Sequence, residues 1–191
     1  MSNLAMMMGL SSRGELLYEL GLSDSLDSVS GVNNAWSQRT VDISAYAGAT
    51  VKPVFYYVSG SSYTGDIQLD AIDVDGTSYS FETNTTGWVT SSAETSNYNS
   101  VNWMGVPTTA SASPRFSRDS GGTASTGTGR TDAADGSFYL YAETTGDGFP
   151  NTPFWLRGPE VTLSSSPTFS YYEARSGATI GTLNFYLDVI S

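Results

Sequence analysis

Residues 65–74, Gly-Asp-Ile-Gln-Leu-Asp-Ala-Ile-Asp-Val, indicate the fold class of this chain most directly. Apolar and polar residues alternate through Ile67 and Leu69, a pattern typical of a strand with one buried face. The alternation changes phase before Ile72, which predicts a β-bulge. Asp75-Gly76 follows at once and predicts a tight turn.

Short β patterns separated by turn residues continue on both sides of this stretch. Residues 51–58 are β-branched and aromatic, as strands prefer, although Pro53 predicts an edge position or a strand start there. The other candidate strands are residues 41–45, 137–142, 154–163, 168–173 and 179–190. About a dozen short strands without a long helix predict an all-β sandwich or jelly roll.

Composition excludes several classes of function. The 191 residues fit one domain, with 39% apolar residues and a net charge of −11 from 19 acidic and 8 basic side chains. Such a chain repels a phosphate backbone, so we expect no nucleic-acid partner. Without cysteine or histidine it has no thiolate, disulfide or catalytic histidine. We therefore expect no enzyme, and a carboxylate pair acting on glycosides is the remote alternative.

The N-terminal residues 1–15 are interpreted as a docking arm, followed by one sandwich domain over residues 16–191. The apolar patch of the arm, residues 4–10, is too short to span a membrane, and methionine adapts to irregular apolar surfaces. A flexible, solvated tail is the alternative, and residues 15–22 fit a short helix or a strand. The side chains expected to bind a partner are Leu4, Met6, Met7, Met8 and Leu10.

A weak internal repeat relates residues 41–74 to residues 161–190. Both segments begin with a Val-x-Ile/Leu-Ser strand, continue through an aromatic strand and a Ser-Gly turn, and end in a Leu-Asp strand. We predict a structural repeat with one unit per sheet, or one per half of the sandwich. The alternative is that any two β meanders share such a composition.

The chain resembles the MAM domain family of extracellular jelly-roll sandwiches. The resemblance rests on short motifs that recur in order: Phe81-Glu82, Gly87-Trp88, Phe116, Arg118, Gly122-Thr123, Ser125-Thr126-Gly127, Asp135-Gly136, Tyr139-Leu140-Tyr141, Glu143, Leu156, Gly158-Pro159, Phe169, Tyr171-Tyr172 and Ile180-Gly181-Thr182-Leu183. Each motif is weak alone, and their order and spacing make the set fairly specific. They correspond to the front half of the family pattern, over residues 81–190.

The back half of the family pattern lies upstream, over residues 33–74. It includes Trp36, the Val41–Ser44 strand, Phe55 and the closing segment Gly65–Ile72. The order is reversed, so the chain resembles a circularly permuted MAM domain joined through residues 75–78, which is plausible when the original termini lie close together. Strand exchange between chains is the alternative. The family's cysteines are missing, so its disulfides are not carried over.

The acidic residues suggest a structural calcium ion. Carboxylates are densest from Asp66 to Asp75, and Glu82 follows after the predicted turn. Carboxylate and carbonyl oxygens suit Ca²⁺, and the resemblance puts Asp70 and Glu82 at the positions of a structural cation, with Asp135 adding a third oxygen. The predicted metal ligands are Asp66, Asp70, Glu82 and Asp135. The alternative is a solvated acidic edge that discourages aggregation.

Aromatic residues in loop-like segments are candidate contacts for a glycan or a protein. Tyr98, Trp103 and Phe149 lie in such segments, and aromatic side chains commonly anchor interfaces. Trp88 matches a family position and is expected to cover the end of the core.

These observations favour a non-enzymatic virion structural protein, a bacteriophage capsid decoration or fibre-associated protein on the virion surface. A virion protein assembles inside the host and needs neither an export signal nor an anchor. Its partners would be capsid or tail proteins or further copies of itself in a lattice or homo-oligomer, with no membrane contact. The alternatives are a secreted or cell-surface adhesion or carbohydrate-binding module, and a strand-exchanged filament subunit.

Overall fold

Two antiparallel sheets form the protein in the computed structural model, which describes residues 25–90 and 114–190. The strands are numbered in chain order. Sheet A contains, in spatial order, β1 (Asp27–Ser30), β12 (Thr182–Val189), β3 (Thr50–Val58), β9 (Pro153–Arg157) and β6 (Val89–Thr90), and β10 (Val161–Thr162) also pairs with β3. Sheet B contains β2 (Asn33–Val41), β11 (Phe169–Arg175), β4 (Ile67–Val74), β8 (Phe138–Ala142) and β7 (Phe116–Ser120), and β5 (Thr77–Tyr79) pairs with β4.

The two sheets enclose one continuous aromatic and aliphatic core. Phe55 of β3 lies at its centre, with its ring centroid 4.9 Å from that of Tyr171 in the opposite sheet and 5.1 Å from that of Phe185. All three side chains are buried. The prediction of an all-β sandwich is therefore confirmed. Single turns of 3-10 helix occur at Ser44–Tyr46 and Gly146–Gly148.

The bulge and the turn predicted from residues 65–76 are both present. Ser170 and Tyr172 of β11 face Asp73 and Asp70 of β4, so Ala71 and Ile72 together lie opposite Tyr171. The bulge changes which residues face the core, in agreement with the phase change in the sequence. Asp75 and Gly76 have φ values of 52° and 84° and join β4 to β5 as a two-residue hairpin, where positive φ at both central residues is typical.

Pro53 lies in a central strand, so the prediction of an edge position or strand start is wrong. Its carbonyl accepts a hydrogen bond from the Gly158 amide at 2.8 Å. The nitrogen and carbonyl of one residue point to the same side of a strand, so the missing N–H faces the gap between β9 and β10. No ladder bond is lost there, which explains why a proline is tolerated.

The internal repeat crosses between the sheets, so its predicted assignment of one unit to each sheet is wrong. Unit one is β2–β3–β4 and unit two is β10–β11–β12. Strand β3 pairs with both β10 and β12, while β11 pairs with both β2 and β4. The middle strand of each unit therefore lies between the two outer strands of the other unit. The strands of residues 33–74 and 81–190 pair within one chain.

Strand boundaries differ from the prediction where the local pattern is short. The predicted strand over residues 41–45 ends at Val41 and is followed by the 3-10 turn. The polar segment that precedes Trp36 contains β1, in which Val29 is the buried residue. A strand with so few apolar residues carries no readable alternation.

Candidate functional site

A row of three polar side chains lies on the outer face of sheet B at β4. Asp66, Gln68 and Asp70 form this polar row, and none of them has exposed surface. They alternate with Ile67 and Leu69, which belong to the core between the sheets. Buried carboxylates and amides require hydrogen-bond partners, and the partners here are largely backbone groups of one loop.

That loop comprises residues 121–137 and connects β7 to β8. Outside the polar row, two aromatic side chains fix its backbone. The Tyr139 hydroxyl donates to the Gly121 carbonyl at 2.7 Å, and Trp36 Nε1 donates to the Asp132 carbonyl at 3.0 Å. The Trp36 and Tyr139 rings also meet edge to face, 6.2 Å apart. The β7–β8 loop is therefore held at several points along its length.

Asp66 anchors the first part of the β7–β8 loop. Its Oδ2 accepts from the Thr128 hydroxyl at 2.7 Å, and its Oδ1 accepts from the Thr144 amide at 2.9 Å and the Thr144 hydroxyl at 3.0 Å. Burial raises the pKa of Asp66, its hydrogen bonds oppose that rise, and the nearby Glu143 carboxylate adds to it. Asp66 thus joins the loop to the end of β8.

The side-chain amide of Gln68 forms two reciprocal hydrogen bonds with the loop backbone, in the way that a peptide group of a neighbouring strand would. Its Oε1 accepts from the Arg130 amide at 2.5 Å, and its Nε2 donates to the Arg130 carbonyl at 3.2 Å. The Arg130 side chain forms an ion pair with Asp132 at 2.7 Å and donates to the Asn34 carbonyl of β2. The middle of the loop is therefore bound to two strands of sheet B.

Asp70 binds the last part of the loop. Its Oδ2 accepts from the Ala134 amide at 2.8 Å and the Asp135 amide at 2.9 Å, while Oδ1 accepts from the Ala71 amide at the bulge. Burial raises the pKa of Asp70 to about 6, against the lowering effect of these amides. One side chain thus couples the bulge in β4 to the loop.

Glu82 binds the backbone amides that follow directly along the chain. Its Oε1 accepts from the Ser137 and Phe138 amides, both at 2.9 Å, and these bonds lower its pKa. Gly136 directly precedes Ser137 and has a φ of 66°, and a Cβ atom there would stand 2.4 Å from Glu82 Cδ. The Arg118 guanidinium donates to the Glu82 carbonyl at 2.6 Å and stacks over the Phe138 ring.

The four predicted metal ligands separate into two locations. Asp70 and Glu82 both bind backbone amides of residues 134–138, and Asp135 lies in that segment with an exposed side chain. Asp66 lies apart from them, with Thr128 and Thr144. Within residues 25–90 and 114–190, no three or more acidic side chains form a group that could hold a metal ion. Calcium binding stays a prediction.

An open groove of about 490 Å³ lies beside the polar row. Its lining is polar or glycine-rich and comes from β2, the β7–β8 loop and the segment after β11. The lining residues are Asn34, Gly127, Thr128, Gly129, Arg130, Thr131, Ser176 and Gly177. The Gly129 amide donates to the Ser176 carbonyl at 3.0 Å, which joins the β7–β8 loop to the segment after β11.

The remaining predicted contact residues are described only in part. Leu4, Met6, Met7, Met8, Leu10, Tyr98 and Trp103 lie outside the described residues. Phe149 is half-buried next to Pro150 and joined to it by a cis peptide bond. Trp88 is 2% exposed and contacts the rings of Phe55, Tyr79 and Phe81, as expected for a residue that covers the core.

Sequence reasoning missed Gln68, Thr128, Thr144 and the groove. The polar positions 66, 68 and 70 show the period of a strand with one polar face, which ordinarily means solvent. A second signal was available in the long Gly- and Thr-rich segment 121–137, because loops of that length are commonly functional. Considered together, the two signals indicate a loop folded onto a polar strand face.

Comparison with known proteins gives no match to a family model, to a curated protein or to a solved structure.

Proposed function

We propose that this protein is a non-enzymatic structural module on the surface of a virion, such as a bacteriophage capsid decoration or fibre-associated protein. The observation that carries the proposal is the use of the polar row. Asp66, Gln68 and Asp70 accept from or donate to the β7–β8 loop at Thr128, at Arg130 and over residues 134–135. These side chains fix a surface loop in place rather than face a substrate.

The fixed loop suits a protein whose task is to present a surface. A loop held by buried hydrogen bonds loses little entropy when a partner binds it, which favours recognition. The interlocked repeat units and the aromatic core give that surface a rigid support. The net charge of −11 would keep such a module away from a packaged nucleic acid.

We also propose a more specific fold for this chain. The chain is a MAM-like jelly roll in which the family's back half precedes its front half. The Asp75-Gly76 hairpin between β4 and β5 is short and tight, as a join between neighbouring termini should be. The burial of Phe81 and Trp88 and the close fit of Gly136 against Glu82 support the family positions assigned to them.

A bound calcium ion and a docked arm complete the proposed function. Ca²⁺ would bind beside Asp70, Glu82 and Asp135, where two carboxylates already flank residues 134–138. The arm, with its apolar residues 4–10, would dock on a capsid or tail protein or on further copies of this chain.

Copy number on purified particles tests the proposed function. Particles from the native source would be banded on a density gradient, and the chain would be quantified by mass spectrometry against the major shell protein. We expect a fixed stoichiometric ratio across the particle band that survives a high-salt wash. Absence from the band, or a ratio that varies from one fraction to the next, would refute the proposal.

A second candidate function, glycan adhesion, is favoured by the open polar groove. Asn34, Thr131 and Ser176 supply amide and hydroxyl groups along its wall, and such groups recognise sugar hydroxyls. A glycan array probed with the full chain tests this candidate. Binding that is lost in the N34A variant and kept in Q38A, a change at another exposed position of β2 that does not line the groove, would support adhesion.

A further inference from the structure

Exposed apolar side chains lie close to the open polar groove. Among the described residues, the large apolar side chains with exposed surface are Val32, Tyr63 and Val189, at 55%, 46% and 51%. Val32 lies two residues before Asn34, which lines the groove. Val189 ends β12, opposite the start of β3, at the other end of the sandwich.

Tyr63 lies on the other side of the groove from Val32. The Thr64 Cα atom stands 3.5 Å from the position that a Cβ atom on Gly177 would occupy, and Gly177 lines the groove. Consecutive Cα atoms are about 3.8 Å apart, so the Cα atoms of Tyr63 and Gly177 lie within about 9 Å of each other. A tyrosine side chain spans most of that distance, so the exposed ring is within reach of the groove's rim.

The order of strands in sheet B places the two apolar side chains on opposite sides. Strand β11 lies between β2 and β4, and the groove lies beside the end of β11 at Ser176 and Gly177. Val32 precedes β2 and Tyr63 precedes β4. The groove therefore has a polar lining and an apolar side chain near each edge.

The backbone that carries the Tyr63 ring is fixed on both sides. The Tyr63 carbonyl accepts from the Thr144 hydroxyl at 2.9 Å. The Thr64 carbonyl accepts from the Thr179 amide at 3.0 Å, and the Gly65 amide donates to the Thr144 hydroxyl oxygen at 3.1 Å. An exposed ring on a fixed backbone loses little entropy when a ligand binds.

The groove offers neutral hydrogen-bonding groups rather than a free charge. Arg130 is the charged residue in its lining, and the Asp132 carboxylate binds the Arg130 guanidinium with both oxygens, at 2.7 and 2.8 Å. Asn34 and Thr131 are exposed and supply an amide and a hydroxyl. The net charge of −11 repels anions. These properties favour an uncharged ligand that is rich in hydroxyl groups.

We propose that the groove binds an uncharged carbohydrate and that Tyr63 stacks on one of its sugar rings. A pyranose ring presents C–H groups on its faces and hydroxyl groups around its edge. The C–H groups suit the negative face of an aromatic ring, and the hydroxyl groups suit the polar lining. The free volume of about 490 Å³ falls in the range of about 300–1,000 Å³ that is typical of small-molecule sites.

The inference rests on the adhesion candidate, for which it names the class of ligand and a contact residue, whereas the virion proposal does not depend on it. An open groove also suits a unit within a longer sugar chain, because the chain can continue beyond both edges.

A glycan array that holds uncharged, sialylated and sulfated oligosaccharides tests the proposal on the full chain. We expect binding to uncharged members alone. The Y63A variant should bind them at least about tenfold more weakly, as for other aromatic anchors, and Y63F, which keeps the ring, should bind nearly as the wild type does. The matched control is V189A, which removes an exposed apolar side chain at the other end of the sandwich and should leave binding unchanged.

The contradicting results separate the parts of the proposal. Equal binding of uncharged glycans by the wild type and Y63A would overturn the role of Tyr63 and leave the adhesion candidate intact. Binding confined to sialylated or sulfated members would overturn the uncharged ligand. If no class is bound, the inference and the adhesion candidate fail together, and the copy number on particles still tests the virion function.

Discussion

The pH dependence of unfolding depends directly on the buried carboxyl group of Asp70. Burial raises its pKa to about 6 from an ordinary value of 3.8. The folded protein therefore holds this proton more tightly than the unfolded chain does. The contribution of Asp70 to stability is fully present below about pH 4 and is lost as the pH rises through about 6.

The size of the effect follows from the difference between the two pKa values. About two pH units correspond to ~3 kcal/mol of unfolding free energy. The side chain has no exposed surface, but the amides around it screen the charge in part, so this figure is an upper bound. Other acidic groups move the curve in the opposite direction, because hydrogen bonds lower the pKa values of Glu82 and Asp75.

Comparison with the D70N variant isolates Asp70 from those other groups. Urea unfolding of both proteins would be followed by tryptophan fluorescence from about pH 4 to about pH 7.5. We expect the wild type to lose about 2.5 kcal/mol relative to D70N over this range, because part of the unfolded-state titration lies below pH 4. A constant difference would refute the reasoning. A wild type that gains relative stability with rising pH would show that the three backbone amides outweigh burial.

Three further predictions concern the loop, the core and the ion. G136A should lower the free energy of unfolding by at least ~2 kcal/mol more than G121A does, because both glycines have positive φ but only Gly136 lies against Glu82. Equal decreases for the two variants in chemical unfolding would contradict this prediction. F55A should lower the free energy of unfolding by ~3–5 kcal/mol, whereas Y63A, at an exposed position, should lower it by less than ~0.5 kcal/mol. Similar melting temperatures for the two variants would be inconsistent with a central role for Phe55 in the core. Added calcium should raise the melting temperature and E82Q should abolish the rise, whereas an unchanged rise in E82Q would exclude the proposed ligand.

The sequence predicts a structural element well where the residues of that element favour a single local conformation. Asp75-Gly76 favours positive φ at consecutive positions, so the hairpin follows from local chemistry. The phase change before Ile72 predicts the bulge because side chains in a strand alternate strictly. Both are properties of adjacent residues and need no knowledge of the rest of the chain.

Features that depend on distant partners were not predictable in the same way. Pro53 is tolerated because two separate strands leave a gap beside its nitrogen, which no local pattern reveals. Asp66 and Asp70 suggested a metal site, and the sequence did not reveal that Asp66 also binds Thr128 and Thr144 and that Asp70 also binds the amides of residues 134–135, all more than sixty positions away. The sequence alone does not distinguish a carboxylate that binds a metal ion from one that accepts hydrogen bonds from backbone amides.

In the described ranges, 25–90 and 114–190, no helix has the length and hydropathy needed to cross a lipid bilayer. Immunogold electron microscopy of native material, with an antibody against this chain, is the most direct test of the proposed function. We expect label arrayed at regular positions on capsids, tails or fibres. Label on cell envelopes, or in soluble material free of particles, would contradict it.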